Sequence, residues 1–289
     1  MSRGELNEDK YNACIESSQQ SLIYAYSWYL DIVCDQWSVL VLNDYEVVMP
    51  LPHRKKYLIQ YVHPPLWVLQ LGIFSKNEFS QPDFISILEK KFRFIELRLN
   101  SENTLEKENS LFVEKQFQEL DLTQGHETIK NAYQSDRKKD LKRAERHQLK
   151  IEWGSGAKEL IQLFQNNVGK RTPEIKEKDY SNLEKLIKTC VDQNVGEVCS
   201  VYQEGQLVAS AFFLKHQETI TILCSSTDFS NRKNGANTFL IDQAIQRYSG
   251  GYKTFNFGGS SMKSIAKYFF SFGAEERIYP MLIKKPKLL

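Results

Sequence analysis

Long apolar runs are missing from this chain: the hydrophobic stretches are broken by charges well short of a bilayer span. The N-terminal segment MSRGELNEDKYN also lacks the apolar core of a signal peptide. Together these absences predict a cytoplasmic protein with no membrane span. Cysteine is scarce. Cys14, Cys34, Cys190, Cys199 and Cys224 are odd in number, show no CxxC spacing and sit in apolar stretches, so they read as reduced structural thiols and not as a disulfide framework. The histidines His53, His63, His126, His147 and His216 show no metal-ligand spacing, and no G-x-S-x-G motif accompanies them. No bound metal and no permanently bound cofactor are expected. Charge of one sign is lacking too: 38 Lys and Arg face 36 Asp and Glu, so any pull on a polyanion must come from a local cluster.

What is present is the composition of an ordinary globular protein, with 41% hydrophobic and 26% charged residues, which excludes disorder and fibrous repeats. At 289 residues the chain exceeds one compact core and predicts two domains. In the first half, residues 22–34 read as a buried helix, and Trp37–Leu42 and Val47–Leu51 flank Asn43-Asp44 as a hairpin does. A β-rich stretch at 57–74, a helix at 82–91 behind Gln81-Pro82, and strands near 93–99 and 111–118 follow. The polar stretch 121–128 marks a boundary, giving domains 1–124 and 125–289.

In the second half a helix begins near Thr128, with Ile129, Tyr133, Arg137, Leu141 and Ala144 on one row. Arg137 is the cation among apolar neighbours, and burying an unpaired guanidinium is costly, so it should be buried and paired. The surrounding Lys138, Lys139, Lys142, Arg143 and Arg146 alternate with Asp136, Asp140 and Glu145, as a solvated face does; a tRNA surface is the alternative. A strand at 149–153, helices at 157–168 and 179–193, and strands at 197–202, 207–214 and 219–226 come next. A helix at 235–248, a strand at 254–257, a helix at 262–272 and a strand at 278–284 end the chain. This is an α+β arrangement with a mixed, mostly antiparallel sheet flanked by helices.

The segment Ser230–Asn237 joins a strand to a helix and carries Arg232, Lys233 and Gly235. A helix start offers unpaired N–H groups and the positive dipole end, glycine admits a phosphate, and the two cations add charge, so a phosphate cradle is one reading and a capped surface loop the other. Arg232-x-x-Gly235-x-Asn237 resembles the R/Q-x-x-G-x-G/A motif with which GNAT acyltransferases hold the coenzyme A pyrophosphate, Asn237 replacing the last small residue. Phe255-Asn256-Phe257-Gly258-Gly259-Ser260, then Ile265–Ala274, is similar to the strand and helix that end the Fem-type aminoacyltransferases and FemAB-like domains. The helix Ser135–His147, with Arg137 and Arg143, resembles the arginine-rich helix opening that domain. Trp28-Tyr29-Leu30, Met49-Pro50-Leu51-Pro52 and Gln70–Phe74 resemble its companion GNAT-like domain.

The resemblance implies two tandem GNAT-like domains, an acyl-CoA co-substrate and transfer of an acyl or aminoacyl group to an amine. Arg232, Lys233, Gly235, Ala236 and Asn237 would hold the donor, while Arg137, Gly258, Gly259, Ser260 and Ser261 would shape the acceptor side. Phe269 stands where Fem-type enzymes carry lysine, which leaves its neighbours Lys267 and Tyr268 as candidate catalytic groups. Two rival readings stay open: a Fem-type enzyme using aminoacyl-tRNA, and a catalytically silent scaffold. The turn at Gly235 is expected to be exposed and to contribute little packing.

Overall fold

Apolar residues alternate through Trp37–Leu42, and in the computed structural model that segment is strand β1 (Gln36–Leu42), paired antiparallel with β2 (Val47–Lys56) from Gln36↔His53 to Leu42↔Val47. Residues 1–56, 58–76, 82–103, 111–258 and 262–285 are described. Contacts sort the chain into two compact units, Met1–Lys115 with Ile278–Leu289, and Gln116–Arg277.

In the first unit, helix α1 (Glu8–Ser17) is an addition to the elements read from sequence. The Asn7 side chain caps it by accepting from the Lys10 amide at 3.1 Å, and Tyr11 and Ile15 are its buried face. A short 3-10 turn at Ile23–Ala25 precedes α2 (Ser27–Val33), which splits the single helix expected over 22–34. Then come β1, β2, β3 (Ile59–Val62), β4 (Phe74–Ser75), α3 (Pro82–Lys91) and β5 (Ile95–Arg98). β3 lies antiparallel to β2 and parallel to β5.

The second unit carries α4 (His126–Ala132), α5 (Ser135–Arg146), β7 (Lys150–Trp153), α6 (Ala157–Asn166) and α7 (Glu177–Asp192). Its strands β8 (Gly196–Gln203), β9 (Gln206–His216) and β10 (Thr219–Thr227) form an antiparallel run. Helix α8 (Ala236–Tyr248) then leads to β11 (Thr254–Asn256), which pairs parallel to β10, and α9 (Lys263–Phe270) follows. Glu204 and Gly205, both at positive φ, make the tight hairpin turn that Gln203–Gln206 predicts. The mixed sheet flanked by helices is the α+β arrangement expected. Two strands cross the division: β6 (Phe112–Asp121), whose Leu120 pairs with Phe255, and β12 (Glu275–Lys284), whose Met281–Lys284 pair with β5.

The division therefore falls at 115/116 and not at 124/125, and Ile278–Leu289 group with the first unit. A polar stretch marks where the chain turns; strand pairing decides which core each residue joins. The helix expected from Thr128 onward is also interrupted. Tyr133 is extended (ψ 139), and the Gln134 amide donates to the Ser271 carbonyl at 3.0 Å, so a tertiary hydrogen bond ends α4 and α5 starts afresh.

The second unit's core joins Leu120, Ile129, Tyr133, Phe213, Ile245, Phe255 and Phe272. Inside it Asp242 on α8, 2% exposed, accepts from the Tyr133 hydroxyl at 3.1 Å and meets His126 Nε2 at 2.9 Å. This carboxylate fastens α4 to α8. Burial pushes the thiols of Cys190 and Cys224 up to about 12, so neither is a ready nucleophile. Among the described residues no helix is long and apolar enough to cross a membrane, and no group of three or more His, Cys, Asp or Glu could hold a metal ion.

Asp242→Ala should cost about 3 kcal/mol in urea denaturation, because it strands the polar atoms of half-buried His126 and buried Tyr133; a neutral variant would contradict the network. Burial also lowers the His216 imidazole from 6.5 to about 4. The unfolded chain then binds more protons below about 6.5, so stability should decline as pH falls from about 6.5 towards about 4. His216→Gln should flatten that decline in thermal unfolding across the same pH range, and an unaltered slope would exclude this histidine as a source.

Candidate functional site

The parallel pairing of β10 with β11 covers Thr219–Thr221 against Thr254–Asn256, while β10 itself runs on to Thr227. Within that stretch the register with β9 shifts between Ile222 and Cys224, placing a bulge at Leu223. A bulge leaves one residue outside the ladder and bends its strand. β10 thus runs on beyond its ladder with β11, towards the loop that follows it.

That loop is fixed by its own side chains. Asp228 accepts from the Ser230 amide at 2.9 Å and from Asn231 Nδ2 at 2.7 Å, starting a 3-10 turn over Phe229–Asn234. Asn234 is buried; its Oδ1 accepts from the Ala236 amide at 2.9 Å and its Nδ2 donates to Gln203 at 2.8 Å. Gly235 follows at φ +85 and opens α8. A Cβ there would overlap the carbonyl oxygen of Asp140 and lie 3.3 Å from the Ala144 amide nitrogen. The expectation of an exposed turn is therefore corrected: Gly235 is buried because α5 crosses the start of α8 at backbone distance, which only glycine allows.

Next to this crossing lies a cleft of about 410 Å³ whose lining includes Arg137, Asp140, Arg232, Gly235, Asn237 and Tyr268. Arg137 is 12% exposed and paired, as its place on the apolar row predicts. It meets Asp140 at 3.1 Å, donates to Thr238 Oγ1 at 2.9 Å, and lies 4.4 Å from the centre of the Tyr268 ring. Its Nε is buried without a partner. Asp140 also holds Arg143 at 2.8 Å and accepts from Thr238 Oγ1 at 2.9 Å. A carboxylate only accepts, so the Thr238 hydrogen is directed to Asp140, and the Tyr268 hydroxyl, 3.2 Å away, donates to Thr238. Asn237 Nδ2 donates to that hydroxyl at 2.9 Å. Burial raises the Tyr268 phenol above its ordinary range, opposed by the Thr238 hydrogen bond and the Arg137 charge. The cleft thus holds a neutral phenol, oriented from two sides, beside a cation and a helix start.

Of the residues singled out from sequence, Arg137, Arg232, Gly235, Ala236, Asn237 and Tyr268 come together around this cleft. The Ala236 amide is already engaged by Asn234. Lys233 and Lys267 are exposed and stand outside the lining. Gly258, at φ +79, donates its amide to Asn256 Oδ1 at 2.8 Å; Gly259, Ser260 and Ser261 lie outside the described residues. Phe269 stacks on Phe257 at 4.6 Å and packs against the core, so on α9 it is Tyr268 that faces the cleft. Sequence reasoning missed Asp140 and Thr238. Asp140 had a signal, standing three residues after Arg137 on one helix face, whereas Thr238 had only its place just past the motif.

A family profile described as acetyltransferase (GNAT) domain matches residues 130–269, just under half of the chain. No curated protein matches. Among solved structures the chain is similar to FemX, with a TM-score of 0.65 at 9% identity over 95% of this chain and 96% of that one. It is also similar to the C-terminal domain of a putative lysylphosphatidylglycerol synthetase from Agrobacterium fabrum (TM-score 0.59, 12% identity, 98% and 93% covered). L-PGS from Bacillus licheniformis gives 0.56 at 13% identity, with 97% and 93% covered. Identities this low speak for the fold, and the fold and the profile agree. The acetyltransferase (GNAT) profile over residues 130–269 and the likeness in fold to FemX point to the same architecture.

Proposed function

We propose that this protein transfers an acyl or aminoacyl group from an activated donor, preferably an acyl-CoA, to an amine in the cytoplasm, and that its first unit is a degenerate GNAT-like companion of the second. The observation that carries the reading is the Tyr268 hydroxyl, held by Asn237 and Thr238 in the same cleft as Arg232 and the first turn of α8. The similarity to FemX over 95% of the chain supports the tandem arrangement.

In this reading Arg232 and the first-turn amides of α8 hold the donor phosphates, and the extended arm that carries the acyl group lies along β10 beyond its ladder with β11. The amine attacks the acyl carbon, its nitrogen losing a proton to water. The carbon–sulfur or carbon–oxygen bond then breaks, and the leaving atom takes the phenolic proton of Tyr268. The phenolate left behind is stabilised by the Arg137 guanidinium against its ring and by the Asn237 amide, and solvent restores its proton. Asn237 therefore serves as a positioning residue for Tyr268. Because burial raises the phenol, Tyr268 stays protonated through ordinary pH.

An aminoacyl ester on RNA is the second donor class. It is supported by Asn237, whose side chain stands in place of the motif's last small residue and narrows the space for a pyrophosphate.

A thermal-shift series with acetyl-, succinyl- and long-chain acyl-CoA and free CoA tests the donor: at 100 times Kd a ligand should add about 2.7 kcal/mol. No shift with any of them would discard the acyl-CoA reading. With a donor identified, Tyr268→Phe should lower kcat about 100-fold or more with donor Kd nearly unchanged. Equal turnover by the variant would remove Tyr268 from the chemistry.

A further inference from the structure

One aromatic ring at the rim of the cleft carries two cations. The Arg232 guanidinium lies 3.5 Å from the centre of the Phe229 ring, and the Arg171 guanidinium lies 4.3 Å from the same centre. Their central carbons are therefore no more than about 8 Å apart. Arg171 ends the short turn Gly169–Arg171 behind α6, and Phe229 begins the loop before α8, its amide donating to Asn167 Oδ1 at 2.8 Å. Sequence separation between Arg171 and Arg232 hides the pairing, and Arg171 was not among the residues singled out from sequence.

Both guanidinium groups are exposed, and among the described residues neither makes an ion pair. Other arginines of this unit find carboxylates: Arg137 and Arg143 meet Asp140, and Arg247 meets Glu197. Two like charges within a Debye length repel, and a ring face compensates each only in part. Such a pair is relieved by an anion with several acceptor oxygens, since each guanidinium presents a planar fork of donors. Arg232 also lines the cleft, so an anion seated here would be attached to whatever occupies it.

We infer that Arg171 and Arg232, stacked on Phe229, grip a phosphate group of the donor, and that Arg171 is a binding residue of this site. The inference rests on the donor reading above and adds to it a residue and a ligand chemistry, a phosphoester near the donor's adenosine end. That chemistry has two sources, a coenzyme A and the phosphodiester of an RNA.

Isothermal titration of the whole chain separates them. The unmodified protein, Arg171→Gln and Phe229→Leu are titrated with CoA, with dephospho-CoA lacking the 3′-phosphate, and with a short single-stranded RNA ending in CCA. Lys170→Gln, the adjacent exposed cation, removes the same charge and is the control. Arg171→Gln should weaken the bound donor about tenfold, the loss of a charge-assisted contact, and Phe229→Leu should weaken it in the same direction. Lys170→Gln should change it less than about twofold, and thermal unfolding should confirm that every variant is folded. A loss seen with CoA and absent with dephospho-CoA assigns the 3′-phosphate; a loss with both assigns the pyrophosphate; a loss with RNA, less steep in salt than the unmodified protein, assigns a phosphodiester. If Arg171→Gln binds every ligand as the unmodified protein does, the inference fails while the donor reading stands. If the unmodified protein binds none of the three, the donor reading fails and takes this inference with it.

Discussion

The close crossing of α5 over the start of α8 is the constraint from which the site follows. With no Cβ at Gly235, the Asp140 carbonyl and the Ala144 amide approach the loop backbone directly. Any side chain there would drive α5 outward and carry Arg137 and Asp140 away from Thr238. Gly235 is also held at φ +85, a conformation that costs other residues energy, so sterics and backbone preference select the same residue. The glycine that marks a phosphate loop by sequence is here, first, a helix-packing glycine. Both roles are compatible, because the cleft opens beside the crossing and includes Gly235 in its lining.

From that crossing a short polar chain runs to the candidate proton donor. Asp140 gathers Arg137, Arg143 and the Thr238 hydroxyl; Thr238 accepts from Tyr268; Asn237 donates to Tyr268 from the other side. Arg137, Asp140, Thr238 and Tyr268 are each bound at two or more points, which removes rotamer freedom in advance of a ligand. Asn237 departs from the small residue of the GNAT motif, and its amide finds a use in fixing the phenol. The Arg137 Nε in this chain of contacts is buried without a hydrogen-bond partner.

Much of the fold was legible because local rules governed it. The hairpin through Glu204-Gly205, helix α3 at Pro82 and the helix, strand, helix and strand that follow β10 stand where turn chemistry and periodicity place them. The misreadings have tertiary causes. Tyr133 breaks a helix-like row because Gln134 bonds to Ser271, far along the chain. The last strand joins the first unit because Met281–Lys284 find their ladder on β5. Helix α1, with modest apolar content, becomes definite through its Asn7 cap and the burial of Tyr11.

The sequence by itself determined the order of elements from β7 onward, the likeness of residues 130–269 to a GNAT domain, the largely buried and paired state of Arg137 and the loop at Arg232–Asn237, since each depends on periodicity, on the cost of burying charge or on residues a few positions apart. Only the tertiary structure decided that Tyr268 and not Lys267 or Phe269 faces the cleft, because neighbours on a helix differ by about 100° and packing of Phe269 on Phe257 sets the rotation. It alone brought Asp140 to Thr238 and Arg171 to Arg232, pairs separated by many residues whose meeting depends on how helices cross and not on any local pattern.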